Sequence, residues 1–313
     1  MVILQTPGGF DLLFRIRGSI VRDILRPLLA TTALATLVTV LHESVLPFRY
    51  SMTVTPFSLI GLTLAIFLGF RNSVSYDRYW EGRKLWGELL NACRSLARLA
   101  LTTIDAPAGA ADARPTAFVH RLMAFAHALR HHLRGSDPLP DLERLLGPQA
   151  AARPAAAHNV PLALLQELGE HLHGARRDLR IDPLLAAHAE SRLDRLADVL
   201  GGCERIRNTP LPYPYRLLLH RTVYFYCLLL PFGLIDTVGR MTPVVVLFLA
   251  YTFFGLDALG EQIEEPFGEM PHDLPLLAIS TTIEADLLEL LGERERPAAV
   301  RPAAVRPVDG VLL

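Results

Sequence analysis

The chain has 313 residues, 51% hydrophobic and 20% charged, with a mean hydropathy of +0.29, a mixture too apolar for an ordinary soluble domain and too polar for a chain wholly immersed in lipid. Its 31 basic and 32 acidic residues leave a formal net charge of −1, so no charge excess speaks for nucleic acid as a partner. Three cysteines, Cys93, Cys203 and Cys227, stand far apart at no metal-ligand spacing, which argues against a cysteine-built metal site and for reduced thiols, facing a reducing compartment or packed in helices.

In chain order, Arg15, Arg17, Arg22 and Arg26 precede the first long apolar run, and no small-residue cleavage site closes that run; it reads as a retained anchor rather than a removable leader. Apolar runs occupy residues 27–41, 54–70, 222–238 and 241–260, each near the length that crosses a ~30 Å hydrocarbon layer as a helix. They come as two pairs, each with a tight connection, and a long polar stretch separates the pairs. The expectation is four transmembrane helices arranged as two hairpins. The arginines before the first run, and Arg71, Arg78, Arg83 and Lys84 after the second, outnumber Arg49 and Arg240 in the two connections. This bias predicts a multi-pass protein of the cell membrane with both termini and the middle segment in the cytoplasm.

Between the hairpins, residues 71–104, 117–134, 162–179 and 184–206 carry apolar side chains at helical spacing, and the Ala- and Pro-rich stretches 105–115 and 147–161 read as loops. The tail repeats Arg-Pro-Ala-Ala-Val from Arg296 and Arg301, a disordered or polyproline-like pattern. The predicted organisation is therefore all-α: an N-terminal segment and first hairpin (1–70), a cytoplasmic helical domain (71–212), a second hairpin (213–260), a cytoplasmic C-terminal segment (261–294) and the tail (295–313).

The second run is the most informative. Leu62, Ile66 and Phe70 recur every fourth residue and fall on one stripe, while Gly61, Ala65 and Gly69 repeat at the same spacing on an adjacent face. The stripe can pack against neighbouring helices, or, with several copies around an axis, it can form rings of apolar side chains that gate by dewetting. The small residues would allow the close helix contact a ring needs. Ser73, Asp77, Trp80 and Lys84 prolong roughly the same stripe, as the wall of a conduit with a wet vestibule would.

The segments Phe67-Leu68-Gly69-Phe70-Arg71-Asn72 and Ser75-Tyr76-Asp77-Arg78-Tyr79-Trp80-Glu81 resemble the bestrophin family in its prokaryotic branch. So do Gly201-Gly202-Cys203-Glu204-Arg205-Ile206, Tyr213-Pro214-Tyr215, and the stretch from Leu256-Asp257-Ala258 to Pro266-Phe267-Gly268. The resemblance implies a homopentameric ion channel with one central pore lined by the second helix of each subunit. It places the neck at Leu62, Ile66 and Phe70, and a cytoplasmic constriction at Leu184, after Asp182-Pro183, with Ile181 beside it. Eukaryotic members follow Pro-Phe-Gly with consecutive acidic residues that help to hold an activating calcium ion, whereas here Glu269-Met270-Pro271-His272-Asp273 follows. Too few carboxylates remain for the six to eight oxygen ligands that calcium prefers, so calcium gating is not expected.

An apolar neck does not choose the sign of the ion, so flanking charge must. Asp77 lies about 10 Å along the helix from Phe70; a ring of such carboxylates favours cations, unless Arg71 or Arg78 of a neighbour neutralises it. Arg71 and Asp77 are the candidate vestibule charges. The family's eukaryotic members conduct anions and its prokaryotic branch includes cation conduction, so the expected cargo is small monovalent ions. The expected partners are further copies of the chain, membrane lipid and those ions, with no cofactor.

Other polar groups have bland readings beside sharper ones. His120, His127 and His131 share a helical face, but no acid or thiol accompanies them at ligand spacing, so a solvated face is preferred to a metal site. Asp257, Glu261, Glu264 and Glu265 are read as ion-paired with arginine-rich helices rather than as a cation trap. Asp236 is read as an outer-surface residue paired with Arg240, and Trp80 and Trp86 as packing or interfacial anchors. No phosphate-binding loop, Gly-x-Ser-x-Gly elbow or metal-ligand pair is present, so an enzyme is not expected. A secondary carrier or a non-conducting membrane scaffold remains the alternative, although inverted repeats with broken helices are not evident.

Overall fold

A computed structural model of the chain describes residues 19–44, 53–105 and 115–293. Arg15, Arg17, Arg49 and the Arg-Pro-Ala-Ala-Val repeats lie outside these residues. Among the described residues the regular structure is helical: α1 (Val21–Ser44), α2 (Val54–Thr103), α3 (Thr116–Arg134), α4 (Leu139–Leu146), α5 (Pro148–Ala155), α6 (Val160–Arg177), α7 (Pro183–Asn208), α8 (Tyr213–Val238), a 3-10 turn (Gly239–Met241), α9 (Thr242–Glu264) and α10 (Leu276–Leu291). The chain divides into two compact units. One takes in the described residues of Leu4–Tyr79 and Pro210–Glu265, the other Trp80–Thr209 and the described residues of Pro266–Leu313.

In the first unit, α1 packs on α8 and α9, and α8 and α9 pack on each other. Three stretches are long and apolar enough to cross a membrane: Val21–His42, the Val54–Thr103 helix, and Tyr213–Glu264, which holds both α8 and α9. The last turns back at Gly239, whose φ of +60° suits a residue without a Cβ. The buried core joins Ile24, Leu28, Phe57, Leu64, Leu68, Val223, Tyr226, Leu230, Val246 and Phe253. Hydroxyls that would lack water in lipid bond back within their own helices: Thr32, Thr36 and Thr39 donate to the carbonyls of Leu28, Thr32 and Ala35. Asp236 faces His42 at 3.6 Å, a partner that sequence proximity to Arg240 did not suggest.

In the second unit, α3 is the central element. Phe118, Val119, Leu122, Met123, Phe125 and Leu129 are all buried, and α4, α6 and α10 pack around it. Residues 147–161, read as a loop, instead contain α5: Pro148 occupies the first turn, where its missing N–H costs nothing, and Ala151 and Pro154 are buried. The Pro and Ala content that suggests a linker thus serves a short helix start and a tight contact. Helices α4 and α10 were likewise not anticipated.

The expected solvated histidine face is also corrected. His127 is buried, its Nε2 2.8 Å from a Glu284 oxygen and its Nδ1 3.6 Å from Asp141. His131 Nε2 is 3.0 Å from Asp141, Arg130 donates to Asp141 at 2.6 Å, and Arg144 bridges Asp141 and Glu284. The acids absent from the local sequence come from α4 and α10, ten or more residues away. The result is an ion-paired polar centre rather than a solvated face, and no His, Cys, Asp and Glu group suited to a metal occurs among the described residues. The cysteines are free and buried, and burial pushes the Cys203 thiol up to about 12.

Candidate functional site

Helix α2 runs unbroken for 50 residues. In its first half Phe57, Gly61, Leu64, Leu68, Arg71 and Ser75 are buried, a three- and four-residue alternation that makes one narrow seam along the helix. At about 100° per residue, Leu62, Ile66 and Phe70 lie about 180° from the centre of that seam. They are exposed, with 62%, 50% and 63% of their surface free. Asp77 is exposed on the same stripe. Membrane lipid or further copies of the chain must cover the apolar part of this face, and the stripe ends in a carboxylate that lipid would not solvate.

The seam has two zones. Above Phe70 it is apolar and close: Phe57 lies against Gly233, where an added Cβ would stand 2.4 Å from its ring, and Tyr226 lies against Gly61, where a Cβ would stand 2.5 Å from its hydroxyl. The Tyr226 ring packs tilted against Phe57 and edge-on against Phe253 at this point, with centroids 6.4 and 5.1 Å apart. Gly61 is therefore explained within the chain, and not by contact between copies as its spacing with Ala65 and Gly69 suggests. Gly69 has open space around it. Tyr215, from the Tyr-Pro-Tyr segment, donates through its hydroxyl to the Phe67 carbonyl at 3.4 Å.

Below Phe70 the seam is polar. Arg71 is buried and donates to Asp257 at 2.5 Å, with Glu264 3.6 Å away. His220 Nδ1 is 2.7 Å from the other Asp257 oxygen, and Arg78 donates to the Glu264 carbonyl at 3.1 Å. Asn72 sits in the notch left by Gly260, where a Cβ would approach its Oδ1 to 2.3 Å. The expected pairing of the acidic cluster holds for Asp257 and Glu264, while Glu261 and Glu265 are exposed. Arg71 is thereby removed from the candidate vestibule charges: its guanidinium is inside the protein and paired, because the acids of α9 face it. Asp77 is exposed.

Asp182 caps α7 by accepting from the Leu184 and Leu185 N–H groups at 2.8 and 3.4 Å, with Pro183 in the first turn. This projects Leu184 outward, 82% exposed, whereas Ile181 is 5% exposed and turned into its unit. The structure therefore separates the two residues expected to form one constriction. Sequence reasoning overlooked Leu179, which is 88% exposed and has a φ of +57°, an uncommon and strained conformation for a bulky side chain. Its sequence signal was the absence of a glycine between the end of α6 at Arg177 and the start of α7 at Pro183.

A family model described as Bacterial/Fungal Bestrophin protein matches residues 1–289. A voltage-dependent anion channel-forming protein of Ralstonia nicotianae is 45% identical over 293 residues, covering 94% of this chain and 95% of its own length. A protein of the same description from Salmonella typhi is 41% identical, covering 95% and 96%. A crystal structure of a bestrophin homologue from Klebsiella pneumoniae, in a single-substitution form, superimposes with a TM-score of 0.81 at 40% identity, covering 87% of this chain and all of that one.

Proposed function

The chain belongs to the bacterial and fungal bestrophin family, and from that premise we propose that it is one subunit of a homopentameric channel for small monovalent ions, with a neck formed by Leu62, Ile66 and Phe70 of each α2. It is a membrane protein of a channel family and not an enzyme. Four membrane-spanning helices follow if α8 and α9 each cross, with both termini on the cytoplasmic side of the cell membrane. The observation that carries the reading is the stripe itself: three large apolar side chains, exposed, diametrically opposite the seam that holds α2 in its unit. Around a shared axis they would leave a pathway without fixed charge, closed by dewetting and opened by a small widening.

Leu184 supplies the cytoplasmic constriction in this reading, since its exposure leaves it free to face an axis, as that of Leu179 does. The curated relatives are named for anion channels, which favours chloride-like ions. Exposed Asp77 on the neck stripe favours cations such as sodium and is the specific support for a second reading. Calcium is not assigned a gating role. Asp273 is buried and spends one oxygen on the Met270 N–H at 2.7 Å, and Met270 and Pro271 carry no carboxylate.

Purified protein in a planar bilayer tests the proposal. Unitary currents are expected, with higher conductance or open probability in Ile66→Ala, and bi-ionic reversal potentials then assign the ion. Saturable flux without unitary steps would indicate a carrier, and no flux at all a scaffold; either result rejects the channel.

A further inference from the structure

Resting on the neck reading, we infer that Arg71 is a positioning residue, which through Asp257 and Glu264 sets the rotation of α2 about its own axis and so aims Phe70, Ile66 and Leu62. The upper seam packs α2 closely through Phe57 against Gly233 and Gly61 against Tyr226, but apolar attraction carries no direction of its own. The lower zone adds directional bonds. Arg71 meets Asp257 at 2.5 Å and Glu264 at 3.6 Å, Asn72 fits the Gly260 notch, and Arg78 meets the Glu264 carbonyl at 3.1 Å. Residues 71 and 78 on α2, and 257 and 264 on α9, are each two turns apart, so the two helices engage in register.

The leverage follows from geometry. Side-chain tips stand about 5–6 Å from a helix axis, so a turn of about 20° swings them by about 2 Å. Phe70 is adjacent to Arg71 in sequence, and the neck stripe and the clamp project from opposite sides of one rigid element. A small turn permitted at the clamp therefore appears undiminished at the neck, in every copy at once. The clamp is also short of bonds: Arg71 Nε and Glu264 Oε2 are buried without a hydrogen-bond partner among the described residues. Asp257 is thus the main acceptor holding the guanidinium, and it is shared with half-exposed His220.

The test uses the full chain in liposomes and bilayers, with Ile66→Cys as a reporter of neck orientation, the three native cysteines being buried. A small charged methanethiosulfonate reagent should modify that cysteine and block the current. Adding Asp257→Asn, which keeps the shape and removes the charge, should change the modification rate by about tenfold or more together with unitary conductance. Glu264→Gln, which spares the 2.5 Å Arg71–Asp257 contact, should have a smaller effect in the same direction, and it serves as the test should Asp257→Asn not fold. A blocked, folded channel whose rate and conductance are unmoved by either substitution overturns the inference and leaves the neck intact. Failure of the reagent to reach the cysteine in the otherwise unaltered channel overturns the neck reading and the inference with it.

Discussion

Gly61 and Gly69 occupy equivalent places in a small-residue repeat, yet their surroundings predict opposite responses to alanine. At Gly61 a Cβ would lie 2.5 Å from the Tyr226 hydroxyl and 3.2 Å from the ring carbon that bears it. The ring has little room to retreat, because it is buried and wedged by Phe57 and Phe253. Overpacking of this kind costs about 1–3 kcal/mol, while removing a helical glycine returns about 0.5–1 kcal/mol. Gly61→Ala should therefore destabilise by about 0.5–2 kcal/mol, with the difference set by how far the ring yields. Tyr226→Phe deletes the closest atom, so in that background the same alanine should be neutral or stabilising. A coupling of about 1–2 kcal/mol is expected from the double-mutant cycle. Gly69→Ala, with nothing within 4 Å, should gain about 0.5–1 kcal/mol in the isolated subunit. Chemical denaturation in detergent micelles, followed by circular dichroism, measures all four variants. If Gly61→Ala matches or exceeds the parent in stability, or if its loss persists unchanged in Tyr226→Phe, the packing argument is wrong.

In the second unit, Glu284→Ala should cost about 3 kcal/mol, since it leaves Arg144 and His127 beside an uncompensated polar centre; unfolding of the variant against wild type measures it, and a change near zero would show that the centre is solvated. Acidification should destabilise that unit in two stages. Burial, reinforced by Arg121, pushes His171 below the usual histidine range, so its contribution is present above about pH 6.5 and is lost as pH falls below that. The His131 hydrogen bond, against the opposing effect of burial, holds Asp141 well below the usual carboxylate range, helped by His127, Arg144 and Arg130. Burial raises Glu284, but its bonds from His127 and Arg144 outweigh this and the net direction is down. Both carboxylates therefore stabilise above about pH 4, and that stability is lost as pH falls further. Melting curves from pH 8 to pH 3 should show both losses, with the first absent in His171→Gln; stability that is flat or rising on acidification would contradict the assignment.

The apolar runs, the Leu62–Ile66–Phe70 stripe and the family motifs were legible because they are written in local periodicity and composition. A stripe repeating every four residues is the same stripe whatever the rest of the chain does, and the long unbroken helix beneath it could be anticipated from the continued helical spacing and the absence of proline between residues 57 and 103. The 147–161 stretch shows where that method fails: its prolines and alanines describe a linker or a short packed helix equally well, and only the burial of Ala151 and Pro154 distinguishes them.

Sequence by itself determined that this is a helical membrane protein of the bestrophin family, and that Leu62, Ile66 and Phe70 share one stripe of α2. Tertiary structure decided what each polar group on or near that helix is for. Arg71 finds Asp257 across 186 residues of chain, and His127 finds Glu284 across 157, separations at which neither residue leaves a mark on the other's neighbourhood. The physical reason is that hydrophobic burial acts through a pattern one segment carries alone, whereas a buried charge is tolerable only through a partner that folding brings to it.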